Sequence, residues 1–424
     1  MRKTMTAALS AITLVALGSP TLSATAAPAD GQSTADYIVV LKDDAASGKV
    51  AGEHSRRHDA QVGHVYRAAL KGYSARMSPV AASRIAQDSR VLYVQRDGVV
   101  RATPVTTAKP GGGGDAAGPQ TTPTGINRAN ADASPTAAID GTDQRVDVDV
   151  AVIDTGVDLD HADLNVNTAM AKNCSTGRSA DDGNGHGTHV AGTVGAKDDA
   201  NGVVGMAPGA RIWPVRVLDN RGSGTFSAIV CGIDYVTAHA DEIEIANMSL
   251  GGGGVDDGSC GNGNNDAMHR AICNSVAAGV TYVVAAGNDT DDAANHVPAA
   301  YDEVITVSAL ADFDGLPGGG AAATCRTDAD DTFANFSNYG ADVDLIAPGV
   351  CIDSTWKGGG YKTISGTSMA SPHVAGGAAL YAANNPTASP AQVKSALQDA
   401  GSLDWDNADD HDSTKERLLD VTGW

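Results

Sequence analysis

Val148-Asp-Val-Ala-Val-Ile-Asp-Thr-Gly156 decides the fold. Its β-branched run from Val148 to Ile153 reads as a buried strand, and the run stops at a carboxylate, Asp154, ahead of a Thr-Gly turn. Similar runs recur at Arg211–Val217, Ile243–Met248, Val280–Ala286 and Val304–Val307. Helical stretches stand between them, such as Ser227–His239 and Asp266–Ala278. This alternation predicts an α/β fold, a mostly parallel twisted sheet with helices on both faces. Ligands of such sheets bind beyond the carboxyl ends of the strands, where Asp154 stands. After Ala383 the chain reads as a terminal helix and a short acidic tail.

Upstream lies a different unit. Tyr37–Leu41 reads as a strand and Lys49–His58 as a helix. Tyr66–Met77 reads as one or two strands, Pro79–Gln87 as a helix begun at Ser78, and Val91–Gln95 as a last strand. That order suits a small α+β, ferredoxin-like unit within 35–101. Thr103–Thr124, with four consecutive glycines from Gly111, cannot bury a core and reads as a flexible linker open to cleavage. At the start, Arg2 and Lys3 precede an apolar stretch, Ala7–Leu17, and the small residues Ser23-Ala-Thr-Ala-Ala27. This is the pattern of a signal peptide, and the apolar run is well short of the roughly 20 residues that span a bilayer. The expected partition is 1–26 signal peptide, 27–102 first domain, 103–119 linker and 120–424 second domain.

Export gives the six cysteines a meaning, since an even number in an oxidising compartment favours disulfides. The count alone leaves 15 connectivities open. Joining near neighbours gives Cys260–Cys273 and Cys325–Cys351, leaving Cys174 with Cys231. No Cys-x-x-Cys pair is present to hold zinc. The net charge is −22 and falls on the second domain, the first being slightly basic. So acidic a surface opposes nucleic acids and anionic membranes and attracts cations.

Three further motifs carry chemistry, each with an ordinary reading of its own. Asp154 alone is a turn or cap aspartate. His186 lies in Asp182-Gly-Asn-Gly-His-Gly-Thr-His189, a glycine turn opening a helix. The glutamate of a zinc-peptidase His-Glu-x-x-His is missing from it. Ser368 lies in Ser365-Gly-Thr-Ser-Met-Ala-Ser-Pro-His373, at a helix N-terminus where the dipole favours an anion. A serine there is by itself only a cap.

Taken together, Asp154, His186 and Ser368 and their contexts resemble the subtilisin-like serine peptidases, the subtilases, over roughly Gln120 to Asn385. The order Asp, His, Ser is that of the subtilisin triad. The resemblance implies a secreted serine endopeptidase acting on protein and peptide substrates as a monomer. Ser368 would be nucleophile, His186 general base and Asp154 its orienting carboxylate. Asn288, in Ala285-Ala-Gly-Asn288, would donate to the oxyanion. Ser249, Leu250 and Gly251 would form one wall of the substrate site, and Ala285, Ala286 and Gly287 the other. His296 falls at the floor of the main specificity pocket. The resemblance also implies structural calcium, held by Gln120, Asp163 and Asp199 and the carbonyls of Lys197, Asn201 and Val203. Residues 35–101 resemble the family's inhibitory propeptide, so the chain would be a zymogen cut between Thr103 and Pro119.

Two rival functions differ from this chain at these residues. An α/β-hydrolase lipase or esterase requires Gly-x-Ser-x-Gly and the order Ser, Asp, His, whereas this chain has Gly366-Thr-Ser-Met-Ala370. A non-catalytic binding module would be expected to lack one of the four catalytic residues, and all four are present.

Overall fold

The computed structural model describes residues 33–103, 106–107, 118–412 and 414–424. The signal-peptide reading and most of the linker lie outside the described residues.

The main sheet has nine strands. Along its path run Arg417–Leu418, Leu345–Pro348, Ile305–Ala311, Thr281–Ala285, Ile245–Met248, Asp149–Asp154, Arg211–Arg216 and Lys172–Asn173, all neighbours parallel. Thr332–Phe333 adds an antiparallel piece beside Ile305–Ala311. The expected strands are all present. The chain moves from Asp149–Asp154 to one neighbour, Arg211–Arg216, and later returns to the other, Ile245–Met248. The order therefore reverses around Asp149–Asp154, which makes its carboxyl end a topological switch point.

Alternation of side chains explains why this strand is apolar throughout. Val150 and Val152 pack in the core that holds helices His186–Gly195 and Thr367–Asn384. Ala151 and Ile153 pack on the opposite face with helices Phe226–Thr237 and Ala267–Ala277. Each fully buried Val or Ile adds about 1.5–3 kcal/mol of transfer free energy.

The N-terminal unit is an antiparallel sheet in the order Gln61–Tyr66, Gly72–Met77, Ala35–Leu41, Val91–Arg96. Helices Ser47–His58 and Pro79–Ile85 complete the ferredoxin-like arrangement. Tyr66–Met77 thus holds the last residue of one strand, Gln61–Tyr66, and the whole of the next, Gly72–Met77.

Two segments differ from the sequence reading. Thr106–Thr107, inside the supposed flexible linker, pairs with Ile364 and Ser365. The acidic tail returns as Arg417–Leu418 to the sheet edge, because Leu418, Leu419 and Val421 bury their side chains there. The disulfides are Cys174–Cys231, Cys260–Cys273 and Cys325–Cys351, as near-neighbour pairing expects. Among the described residues no helix is long and apolar enough to cross a membrane.

Candidate active site

Asp154 ends the strand at the switch point and is fully buried. Its Oδ1 accepts from the Thr155 amide at 2.6 Å and lies 2.8 Å from His186 Nδ1. His186 begins its helix, after Gly185 at φ +112°. A Cβ on Gly185 would stand 2.3 Å from the Trp356 ring, so glycine serves both the angle and the space. Asp182 organises this turn. Its Oδ1 accepts from the amides of Asn184 and Gly185, both at 2.8 Å, and its Oδ2 from the Thr188 amide and hydroxyl at 3.0 and 2.6 Å. A side chain thereby satisfies the donors a helix start leaves over. The Thr155 hydroxyl donates to Asp182 Oδ1 at 2.9 Å, joining this cap to the Asp154 turn.

Burial presses the His186 pKa down, but the charge and hydrogen bond of Asp154 outweigh it and the value ends raised. With Nδ1 facing a carboxylate, Nε2 is the basic end of the neutral ring. That atom is buried and has no hydrogen-bond partner among the described residues. His189, on the same helix, points its Nε2 at the carbonyls of Ile352 and Lys362, at 3.1 and 2.9 Å. It is spent on structure, so the two histidines do not form a metal pair.

Ser368 is the second residue of its helix and fully buried. Its Oγ lies 3.3 Å from the Ser249 carbonyl and is hydrogen-bonded to the Thr103 hydroxyl. A polar chain fixes the helix start: Ser371 Oγ donates to Asn247 Oδ1 at 2.7 Å, Asn247 Nδ2 to Ser249 Oγ at 2.9 Å, and Ser249 Oγ to the Ser368 carbonyl at 2.9 Å. Asn288 is held by the residue before the serine. Its Oδ1 accepts from the Thr367 amide and hydroxyl, both at 2.9 Å, which leaves Nδ2 as the donor end. Gly287 turns at φ +112° against Asn338, whose Nδ2 would be 2.3 Å from a Cβ.

Val99–Ala102 forms a strand between Ser223–Thr225 and Leu250–Gly253, antiparallel to both. Leu250 faces Ala102 and Gly251 faces Arg101. The N-terminal unit grips the same surface elsewhere. Asp234 accepts from the amides of Arg67, Ala68 and Ala69 at 2.6–3.0 Å, and Asp97 Oδ1 from the Ser227 amide at 3.0 Å. Ala285 ends its strand, with Ala286 and Gly287 following, and the Gly287 amide donates to Thr367 Oγ1 at 3.2 Å. His296 pairs with Gly253, and its Nε2 lies 3.1 Å from Asp291 Oδ2. Asp182, Thr367, Asn247 and Thr103 were not singled out by the sequence reading. They act through neighbours brought in from afar, and only the Asp, Thr and Ser types near each motif hinted at them.

Among the residues expected to hold calcium, Asp163 and Gln120 are tied to the 197–203 loop by hydrogen bonds. Asp163 Oδ2 accepts from the Val203 amide at 3.1 Å, while its buried Oδ1 has no hydrogen-bond partner among the described residues. A buried carboxylate oxygen without a partner is a donor suited to a hard cation. Gln120 differs: its Oε1 already accepts from the amides of Asp199 and Ala200, at 2.8 and 3.0 Å. It staples the loop through its amide.

Residues 146–424 match the model of the Subtilase family, and residues 36–103 match Peptidase inhibitor I9. The "Extracellular serine proteinase" of Thermus sp. (strain Rt41A) is 40% identical over 345 residues, 80% of this chain and 72% of that protein. "Subtilisin DY" of Bacillus licheniformis is 39% identical over 281 residues, 66% of this chain and 90% of that protein. Among solved structures, the "Crystal structure of a cold adapted subtilisin-like serine proteinase" is similar with a TM-score of 0.53 and 37% identity, covering 65% of this chain and 88% of that one. With residues 146–424 matching the Subtilase family model and an inhibitor-type domain ahead of them, this chain belongs to the subtilase family of serine peptidases.

Proposed function

We propose that the protein is a secreted monomeric endopeptidase, made as a zymogen, in which Ser368 attacks the substrate carbonyl. His186 Nε2 takes the hydroxyl proton and returns it to the leaving amine, while Asp154 orients the ring and stabilises its charged form. The Asn288 amide and the Ser368 N–H receive the oxyanion. Substrate lies extended between Ser223–Thr225 and Leu250–Gly253, as an added strand. Ser249, Leu250 and Gly251 line one side, Ala285, Ala286 and Gly287 the other, and His296 tunes the pocket. Residues 27–102 act as the inhibitory propeptide, 1–26 as the signal, and 103–119 carry the maturation site.

One observation carries this reading: Val99–Ala102 is paired between Ser223–Thr225 and Leu250–Gly253, as an extended substrate would be, and Thr103 meets the Ser368 hydroxyl. A calcium ion bound by Asp163, Asp199 and the carbonyls of Lys197, Asn201 and Val203 would brace the loop after the His186 helix. It takes no part in the reaction. The test is expression of the full chain and of Ser368→Ala in a host free of other proteases. The wild type should mature and digest casein, and the variant should stay at precursor length. Maturation of Ser368→Ala, or wild-type hydrolysis of a long-chain ester but not casein, overturns the reading.

A further inference from the structure

The docked chain does not end at Thr103. Beyond it, Thr106–Thr107 pairs antiparallel with Gly360–Ser365, the strand that leads into the serine helix, with Thr107 opposite Ile364 and Thr106 opposite Ser365. Residues before Thr103 therefore lie on Leu250–Gly253, and residues after it on Ile364–Ser365.

Ser365 is buried and its hydroxyl is clasped. Oγ accepts from the Cys351 amide at 2.9 Å, and Cys325 Sγ lies 3.7 Å from the same oxygen. Cys325 and Cys351 are joined to each other, and the Cys325 amide donates to Cys351 Sγ at 3.3 Å. Cys351 stands at φ +57°, in the left-handed region. A residue with a side chain stays there only where its surroundings hold it. The Cys325 end is pinned in turn. Arg326 donates from Nε to Asp328 Oδ2 and from Nη2 to Asn335 Oδ1, both at 2.8 Å, and its guanidinium lies 4.7 Å from the centre of the Phe336 ring. The Thr290 amide and hydroxyl donate to the carbonyls of Phe336 and Asn335, at 3.1 and 3.0 Å. Asn288, the proposed oxyanion donor, lies just ahead of Thr290 in the chain. A tie with one covalent link thus runs from the oxyanion loop to Ser365.

We propose that the Cys325–Cys351 disulfide is a positioning element for substrate: it fixes Ser365, and through Ser365 the edge that takes the residues downstream of the cleaved bond. The proposal rests on the reading of the protein as an endopeptidase with Ser368 as nucleophile. Its effect is selective. A binding edge held in its bound shape saves the cost of ordering it when substrate arrives. Without the disulfide, Cys351 and Ser365 are free to relax, and only a substrate long enough to reach Ser365 senses the loss. Thr106 is the third residue after Thr103, so such a substrate must run at least that far past the bond. A disulfide kept for stability alone would act on short and long substrates alike.

The test compares mature wild type with the Cys325→Ser/Cys351→Ser double variant on two probes. One is the anilide of Val-Arg-Ala-Thr, the sequence of residues 100–103, with no amino acid beyond the bond. The other is a fluorescence-quenched peptide with the same residues followed by a run of four alanines, its cut position checked by mass spectrometry. The ratio of kcat/KM on the long peptide to that on the anilide should fall about fivefold, mainly through KM, the worth of one backbone hydrogen bond. Cys260→Ser/Cys273→Ser, which opens the disulfide between the 255–265 segment and helix Ala267–Ala277, should leave that ratio in place. If the first double variant fails to mature, Ser365→Ala takes its place; it removes only the clasped hydroxyl and should lower the same ratio. An unchanged ratio in the variant that matures, or an equal fall in the Cys260→Ser/Cys273→Ser control, overturns the proposal. Wild type inactive on both probes and on casein overturns the endopeptidase reading, and this proposal with it.

Discussion

Thr103 and Ser368 meet hydroxyl to hydroxyl, so the proposed nucleophile is engaged by the residue that follows the docked strand. Among the described residues His186 Nε2 has no hydrogen-bond partner meanwhile. The edges proposed to bind substrate are paired with the chain's own strand, and among the described residues His186 Nε2 is not paired with Ser368 Oγ, as a restrained peptidase would require.

If the docked register is also the cleaved one, the bond cut follows Thr103, and the next residue in the sequence is Pro104. A proline nitrogen carries a ring and no N–H, and it must be protonated by His186 to leave. Self-cleavage at that bond should be slow. Pro104→Ala should speed maturation severalfold, followed by mass spectrometry of the released N-terminus. An unchanged rate and cut position would show that the docked register is not the cleaved one.

Asn288→Ala should lower kcat about 10²–10³-fold with little change in KM, a magnitude taken from the oxyanion asparagine of subtilisin itself. Thr367→Val should lower kcat less, because it loses the hydroxyl that holds Asn288 Oδ1 but keeps the amide. Steady-state kinetics on a peptide anilide with mature enzyme check both. Equal loss in KM and kcat would point to general misfolding.

Glu416 is 4% exposed and neither of its oxygens has a hydrogen-bond partner among the described residues. Burial, aided by the charges of Asp410 and Asp412, pushes its pKa up to about 8. The folded chain therefore holds a proton that the unfolded chain loses near its ordinary value. Stability should fall as pH rises from about 4.5 to about 8, by up to about 1.4 kcal/mol per pH unit. Glu416→Gln should flatten that part of a Tm-against-pH curve. A curve of unchanged slope rules this group out as its cause.

Removal of calcium should destabilise the mature enzyme through the Asp163 loop. At 100 times Kd one bound ion adds about 2.7 kcal/mol. A calcium-selective chelator should lower Tm and added Ca²⁺ should restore it. In Asp163→Asn, Tm should no longer respond to Ca²⁺. A full response in that variant would place the ion elsewhere.

Much of the molecule was legible in its sequence, for a physical reason. Val148–Ile153 can be apolar throughout only if both faces are covered, so the α/β architecture and the position of Asp154 at a strand end follow from a local pattern. Glycines around His186 and Ser368 likewise announce turns in which the backbone must pass closely. Local pattern also gave the two parts of the chain, because the Gly-rich linker cannot bury a core.

Other features were settled only when distant segments met. Val99–Ala102 is too short and too ordinary to read as a strand, and it becomes one because two edges offer unpaired backbone groups on either side. The cap by Asp182 and the grip of Thr367 on Asn288 depend on side chains converging to within a few ångströms. Sequence order named Asp154, His186 and Ser368 as a set. Tertiary structure put the first two 2.8 Å apart and gave the third to Thr103, since hydrogen bonds are decided by distance and direction in space and a sequence specifies neither.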